Sequence, residues 1–216
     1  ASITFNKAMC NALLKQFNFL SPKAVILNKN EPYDAAKLES EIGLPCFVKP
    51  NRSGSSFGIS KVTERSQFEK AIKEAFIHDD QVIVESFING TEVTCGIVQK
   101  DGELLALPLT EITTENDFFD YQAKYQGKAE EITPARISNE ERNLVQSISK
   151  SIYQTLNLKG MVRMDYIIEN ELVYLIEVNT IPGLSEESII PQQAKAYGMD
   201  LKELFSLSLV NMFTND

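Results

Sequence analysis

Hydrophobic positions along this chain switch between a period of two and a helical period, and the switches mark its elements. The clearest period-two stretch is residues 160–183, GMVRMDYIIENELVYLIEVNTIPG. Alternation places Met161, Arg163, Asp165 and Ile167 on one face of a first strand, and Val173, Leu175, Glu177 and Asn179 on one face of a second. The opposite faces, Val162, Met164, Tyr166 and Ile168 with Leu172, Tyr174, Ile176 and Val178, are apolar or aromatic throughout. A turn at Glu169–Asn170 folds the strands into a hairpin, with Asp165 and Glu177 within about a residue of register.

Helical spacing appears over 6–18 (Met9, Cys10, Leu13, Leu14, Phe17), over 33–42 ahead of Gly43, and over 66–77, where Ser66 and Glu69 form a capping box. It returns over 138–156, with a Ser138–Glu141 box and a stripe of Leu144, Val145, Ile148, Ile152, Tyr153 and Leu156. Two last helices cover 188–197, stopped by Gly198, and 201–213, capped by Asp200 with Glu203. Short apolar runs at 23–27, 46–48, 59–62 and 81–87 read as strands, and 92–100 with 103–107 reads as a hairpin through Asp101–Gly102. The polar, aromatic-bearing stretch 113–130, with Phe118, Phe119, Tyr121, Lys124 and Tyr125, is long for a connection and reads as a lid over a ligand.

Composition changes this picture in three ways. A chain of 216 residues with 43% hydrophobic content holds one large domain or two small ones. A net charge of −9 argues against nucleic acid as a partner, while leaving room for a nucleotide held by a few lysines. Cys10, Cys46 and Cys95, odd in number and without C-x-x-C spacing, read as reduced core thiols of a cytoplasmic protein. With His78 alone, Ser-His-Asp and histidine–metal chemistry are disfavoured, and no apolar run suggests a membrane span. A first residue other than Met, close to a helix start, is expected of a fragment or processed chain.

Candidate chemistry gathers at the 160–183 hairpin. Facing carboxylates on apolar strands repel, and a cation between Asp165 and Glu177 relieves them. With Asn179 they make a hard oxygen set suited to Mg²⁺. The competing reading is a solvated face of an edge hairpin. Pro182–Gly183 ends the second strand and leaves a backbone N–H to meet a ligand. Upstream, Lys7 lies in a helix first turn, where a cation opposes the helix dipole and hints at an anion. NRSGSSFGIS (51–60), between two strands, is rich in small donors able to surround phosphate oxygens, yet it matches neither the P-loop nor the G-x-G-x-x-G pattern.

The segments VKPNRSGSSFGISKV, VIVESFINGTEVT, FFDYQAKY, RMD and EVNTIPGLSEESIIP together resemble the ATP-grasp carboxylate–amine ligases, and within them the D-alanine–D-alanine ligase family, over essentially the whole chain. The resemblance implies an α+β ATP-grasp fold of two lobes with mostly antiparallel sheets and flanking helices: a small lobe over 1–84 carrying the Gly-rich flap, and a large lobe over 85–216 carrying the metal site and the lid, with nucleotide between them. By position, Lys7 and Lys49 resemble the lysines that hold ATP phosphates, and Ser56 belongs to the flap. Glu85 and Ile88 line the adenine, Glu92 meets the ribose, and Lys124 reaches the γ-phosphate. Many relatives carry Lys after the first of these glutamates, where this chain has Ser86.

Asp165, Glu177 and Asn179 then hold two Mg²⁺ ions, with Mn²⁺ as a substitute. Arg163 and the Gly183 N–H resemble stabilisers of an oxyanion, and Ser188 with the Ile189 amide resembles the clamp on the second substrate's carboxylate. The implied reaction is ATP-dependent joining of two D-alanines through an acyl phosphate, for peptidoglycan precursors. Tyr125 points to D-alanine over D-lactate as acceptor. Ser55 and Tyr125 resemble two members of a hydrogen-bonded set whose third, a Glu, belongs in the family to an N-terminal domain with no counterpart motif here. The expectation is therefore a chain that does not ligate alone, with a homodimer as the family's usual assembly. A different acceptor (D-lactate, D-serine or another amino acid) and a non-catalytic nucleotide-binding module are the competing readings.

Overall fold

The structure, a computed structural model, describes residues 1–54, 57–100, 102–114 and 129–213. The Asp101 half of the expected turn and the stretch 115–128 lie outside the described residues.

The chain divides into two compact units, one formed by Ala1–Asn89 with Thr114–Ala129, the other by Gly90–Thr113 with Glu130–Asp216. The change at Asn89–Gly90, a few residues beyond the expected 84, has a simple cause. The strand running through Glu85 and Ser86 pairs on both sides within the first sheet.

In the first unit a short helix α1 (Ser2–Phe5) precedes α2 (Lys7–Lys15). Four strands, β1 (Ala24–Asn28), β2 (Cys46–Pro50), β3 (Ser60–Val62) and β4 (Gln81–Ser86), form a sheet in the order β1-β4-β2-β3. Every pairing in it is antiparallel. One face packs Cys46, Val48, Val62, Val82 and Val84 against α3 (Ala35–Ile42) and α4 (Phe68–Ala75), through Leu38, Ile42, Phe68 and Ile72. Strand parity therefore sends Lys49 and Glu85 to the other face. The Ser66–Glu69 capping box does not form. Residues Arg65–Gln67 make a 3₁₀ turn, Ser66 bonds Glu64, and Glu69 pairs with Lys73 one turn along. The helix starts two residues later than the pattern suggests.

The second unit is built on a sheet in the order β10-β9-β5-β7-β8, with β6 paired to β5. Its strands are β5 (Thr91–Lys100), β6 (Glu103–Ala106), β7 (Thr110–Thr114), β8 (Ala129–Ile132), β9 (Val162–Glu169) and β10 (Leu172–Asn179). The strands β7 and β8 fall in and beside a stretch read as irregular, because Thr and Glu at successive positions hide the period-two signal. One sheet face meets α5 (Asn139–Thr155), where buried Ser149 and Tyr166 share a 2.8 Å hydroxyl bond. The other meets α6 (Ile189–Tyr197) and α7 (Leu201–Phe213) through Val98, Leu107, Ile190, Ala194, Met199 and Leu204. The capping box at Ser138–Glu141 forms with both of its bonds. The stripe it introduces is shifted: Leu144 is 42% exposed, and Val145, Ser149, Ile152 and Tyr153 face the core.

The β9–β10 hairpin turns at Asn170–Glu171, both left-handed (φ 49° and 67°), one residue later than expected. Alternation holds along β9, whose even residues are buried. It breaks in β10, where the register shifts between Leu175 and Glu177. Val173 and Leu175 consequently share the buried face with Val178, correcting the uniform parity read from the sequence. The bulge leaves Ile176 as the extra residue and returns Glu177 and Asn179 to the face that carries Arg163 and Asp165.

Candidate functional site

The second unit assembles a grid on one sheet face. Across four strands Thr110, Thr94, Asp165 and Glu177 stand in one row, since Thr94 pairs with Thr110 and Asp165, and Asp165 with Glu177. The next row holds Gly96, Arg163 and Asn179, and the row before it holds Ile112, Glu92, Ile167 and Tyr174. The expected register of Asp165 with Glu177 is thus direct, and the β10 bulge is what makes it so.

The grid's charges answer one another. Arg163 donates to both oxygens of Asp165 at 2.9 Å, a fork with side chains 15% and 18% exposed. The charge of Asp165, its hydrogen bonds and the charge of Glu177 hold the guanidinium pKa above its ordinary value. The cation relieving the facing carboxylates is therefore first of all Arg163, which the charge reading of the hairpin left without a role. The fork takes two of roughly four acceptor positions on a carboxylate. Asn179 accepts from the Ile181 N–H at 3.0 Å with an oxygen that has a second lone pair. Among the described residues no three His, Cys, Asp or Glu side chains cluster as a metal centre. The donors here are two carboxylates and one amide oxygen, a hard set that fits Mg²⁺ and not zinc.

Beyond β10, a Cβ at Gly183 would lie 2.7 Å from Ser188 Oγ, so the chain doubles back and sets the two expected residues together. Ser188 Oγ and Ser185 Oγ are 2.8 Å apart. Ser188 is also the N-cap of α6, and its own side chain makes no capping bond to the first turn, where Ile189 begins the helix.

In the first unit the two expected lysines are both buried, Lys7 6% and Lys49 5% exposed. Lys7 Nζ donates to the Ser53 carbonyl at 2.7 Å, at the root of the Gly-rich loop. Lys49 pairs with Glu85 at 2.5 Å across the β2–β4 ladder, and Glu85 Oε1 is buried with no hydrogen-bond partner among the described residues. Glu85, expected to line the adenine, thus commits its side chain to Lys49. Ile88 is half-buried just beyond β4. The organiser that sequence reading missed is Asn51, fully buried. It accepts from Ala8 N at 2.8 Å and donates to Asn6 and Gln81, pinning the start of α2, and hence Lys7, to the end of β2. Its signal was an Asn closing a buried strand, where a polar side chain needs partners. Ser55, Ser56, Lys124 and Tyr125 lie outside the described residues. Among the described residues no helix is long and apolar enough to cross a membrane.

Comparison with known proteins adds the family. The model of the D-ala D-ala ligase C-terminus matches residues 12–210. A D-alanine–D-alanine ligase of Flavobacterium johnsoniae is 48% identical over 95% of this chain and 64% of its own length. One from Bacteroides fragilis is 44% identical over 99% of this chain and 66% of its own. This chain therefore spans about two thirds of the length of these relatives. Among solved structures, a D-Ala:D-Ser ligase from Enterococcus faecalis superposes with a TM-score of 0.87 at 34% identity, covering 96% of this chain and 61% of that one. A D-alanine–D-alanine ligase from Bacillus anthracis complexed with ATP superposes at 0.82 and 26% identity, covering 97% and 66%. The α+β architecture is thus the ATP-grasp fold of these ligases. Two antiparallel sheets, a bulge-aligned carboxylate row and a match over nearly the whole length lead to one statement: this chain belongs to the D-ala D-ala ligase C-terminus family.

Proposed function

We propose that the protein carrying this chain is an ADP-forming D-alanine–D-alanine ligase supplying peptidoglycan precursors, and that this chain provides its nucleotide, metal and acceptor groups. The observation that supports it most is the row in which Asp165 faces Glu177 beside the Arg163 fork. Mg²⁺, when bound by Asp165, Glu177 and Asn179, would offset phosphate charge during phosphoryl transfer. The buried cations Lys7 and Lys49 would hold the phosphates, Glu92 the ribose hydroxyls, and Glu85 with Ile88 the adenine edge, joined by Ser56 and Lys124. Phosphorylation turns the first substrate's carboxylate into an acyl phosphate open to attack by the second amine. The oxyanion that forms would be met by Arg163 and the Gly183 N–H, where one donor contributes about 3 kcal/mol. Ser188 and the Ile189 amide, at the α6 N-terminus, would fix the acceptor carboxylate. Ser55 and Tyr125 would complete a hydrogen-bonded set with a Glu from outside this chain.

D-Alanine is favoured as acceptor because curated relatives at 44–48% identity carry that name, whereas the D-Ala:D-Ser ligase is 34% identical. The test is ADP release by the intact protein with D-alanine alone and with D-serine or D-lactate added. D-Alanyl-D-alanine as the main product is expected, and a mixed dipeptide or depsipeptide as main product would contradict the reading. The 216-residue chain assayed alone is expected to bind ATP weakly and not to ligate, because it supplies only about two thirds of the length of these relatives.

A further inference from the structure

The central strand β5 changes partners along one edge. It pairs with β7 up to Thr94 and with β6 from Ile97 onwards, so Cys95 and Gly96 fall between two ladders. The gap is closed by the carbonyl of Gly96 accepting from Leu107 N at 2.8 Å, and by a side chain. Gln193, on α6 and fully buried, accepts from Gly96 N at 2.9 Å and donates to the Thr94 carbonyl at 2.9 Å and to Thr110 Oγ1 at 3.1 Å. Its amide stands in for the missing strand. The fit is close, since a Cβ on Gly96 would come within 2.6 Å of Gln193 Oε1.

These bonds join elements that matter for the reaction. Thr94 is the β5 neighbour of Asp165 and Gly96 that of Arg163. At the other end, α6 begins with Ile189 after its N-cap Ser188, whose hydroxyl lies beside Gly183. An apolar side chain could fill the same volume, but it would leave Gly96 N and the Thr94 carbonyl buried and unpaired. The amide satisfies both and makes the seat of the helix directional. We propose that Gln193 is a positioning residue that fixes the acceptor-carboxylate end of α6 against β5, the strand paired with the one carrying Arg163 and Asp165. This rests on the ligase reading above, and it gives Gly96 its role as the only residue type that admits the amide.

The experiment uses the intact protein with two variants, Gln193→Met, which keeps length and loses all three bonds, and Thr110→Val, which removes one of them together with the 2.6 Å hydroxyl bond of Thr110 to Thr133. Ser149→Ala is the control, because it breaks a buried bond on the opposite face of the same sheet. The expected result is a KM for acceptor D-alanine raised about tenfold in Gln193→Met, and less in Thr110→Val, with the KM for ATP unchanged. Ser149→Ala should lower the melting temperature and leave the acceptor KM alone. An unchanged acceptor KM in a folded variant, or equal rises for both substrates, overturns the proposal. If Gln193→Met does not fold, Thr110→Val decides. If the parent shows no D-alanine-dependent ADP release, the ligase reading fails. Amide exchange at 188–190 then tests the tether: faster exchange in Thr110→Val than in the parent supports it, and equal exchange overturns it.

Discussion

At the scale of single residues, the site depends on charges that answer one another and on small residues that admit close approach. Replacing Arg163 by Gln would leave Asp165 and Glu177 facing each other without the fork. The loss should be about 2 kcal/mol, less than for a wholly buried pair because these side chains keep some water, and it is read by urea unfolding. Added Mg²⁺ should restore stability in Arg163→Gln more than it raises that of the parent, since a ligand of the native state stabilises it. Gly90 poses a purely steric requirement. A Cβ there would sit 2.0 Å from the Ile168 carbonyl, so Gly90→Ala must displace β9 and should cost about 1–3 kcal/mol, seen as a lower melting temperature. The residues that carry charge or mark turns were legible in the sequence because they interrupt apolar strands. Asn51 and Gln193 were not, because a polar residue in a helix or at a strand end reads as solvated until its neighbours are known.

At the scale of elements, local pattern was reliable where it concerned one element and failed where two had to agree. The Ser138–Glu141 box forms because an uninterrupted helix follows, and the Ser66–Glu69 box fails because Glu69 is drawn to Lys73 and the chain enters through a 3₁₀ turn. Ser138→Ala should therefore cost about 1 kcal/mol, and Ser66→Ala should fall within about 0.5 kcal/mol of the parent in the same denaturation assay. The odd numbers of Arg163, Asp165, Glu177 and Asn179 led to the correct face for all four. The intervening apolar residues were misassigned, because the bulge at Ile176 moves Val173 and Leu175 to the buried side. No alternation in a run as apolar as LVYLI can reveal which residue is supernumerary. Likewise β7, TEITT, is a strand by its pairing with β5 and not by its own pattern.

At the scale of the whole molecule, each unit keeps its own core and its own share of the candidate chemistry, buried lysines in the first and the carboxylate grid in the second. Each also contains a guanidinium–carboxylate pair whose carboxyl is held below its ordinary pKa and makes the unit sensitive to acid. Arg136's hydrogen bond holds Glu111 below the usual value of 4.5. Burial pushes Asp79 up, but the hydrogen bonds of Arg52 outweigh it and hold the carboxyl below its usual 3.8. In both cases the unfolded chain binds the proton more readily. The stabilisation is thus present above the ordinary carboxylate range and is lost as pH falls through it towards the lower folded values. Unfolding midpoints measured between about pH 6 and about pH 3 should fall less steeply in Arg136→Leu than in the parent. If the bulge-aligned row is a metal-dependent nucleotide site, calorimetric titration of ATP into the intact protein will report it. The expected result is ATP binding that requires Mg²⁺ and weakens at least about tenfold in Glu177→Gln. Equal affinity with Mg²⁺ and with chelator, or no change in Glu177→Gln, would contradict it.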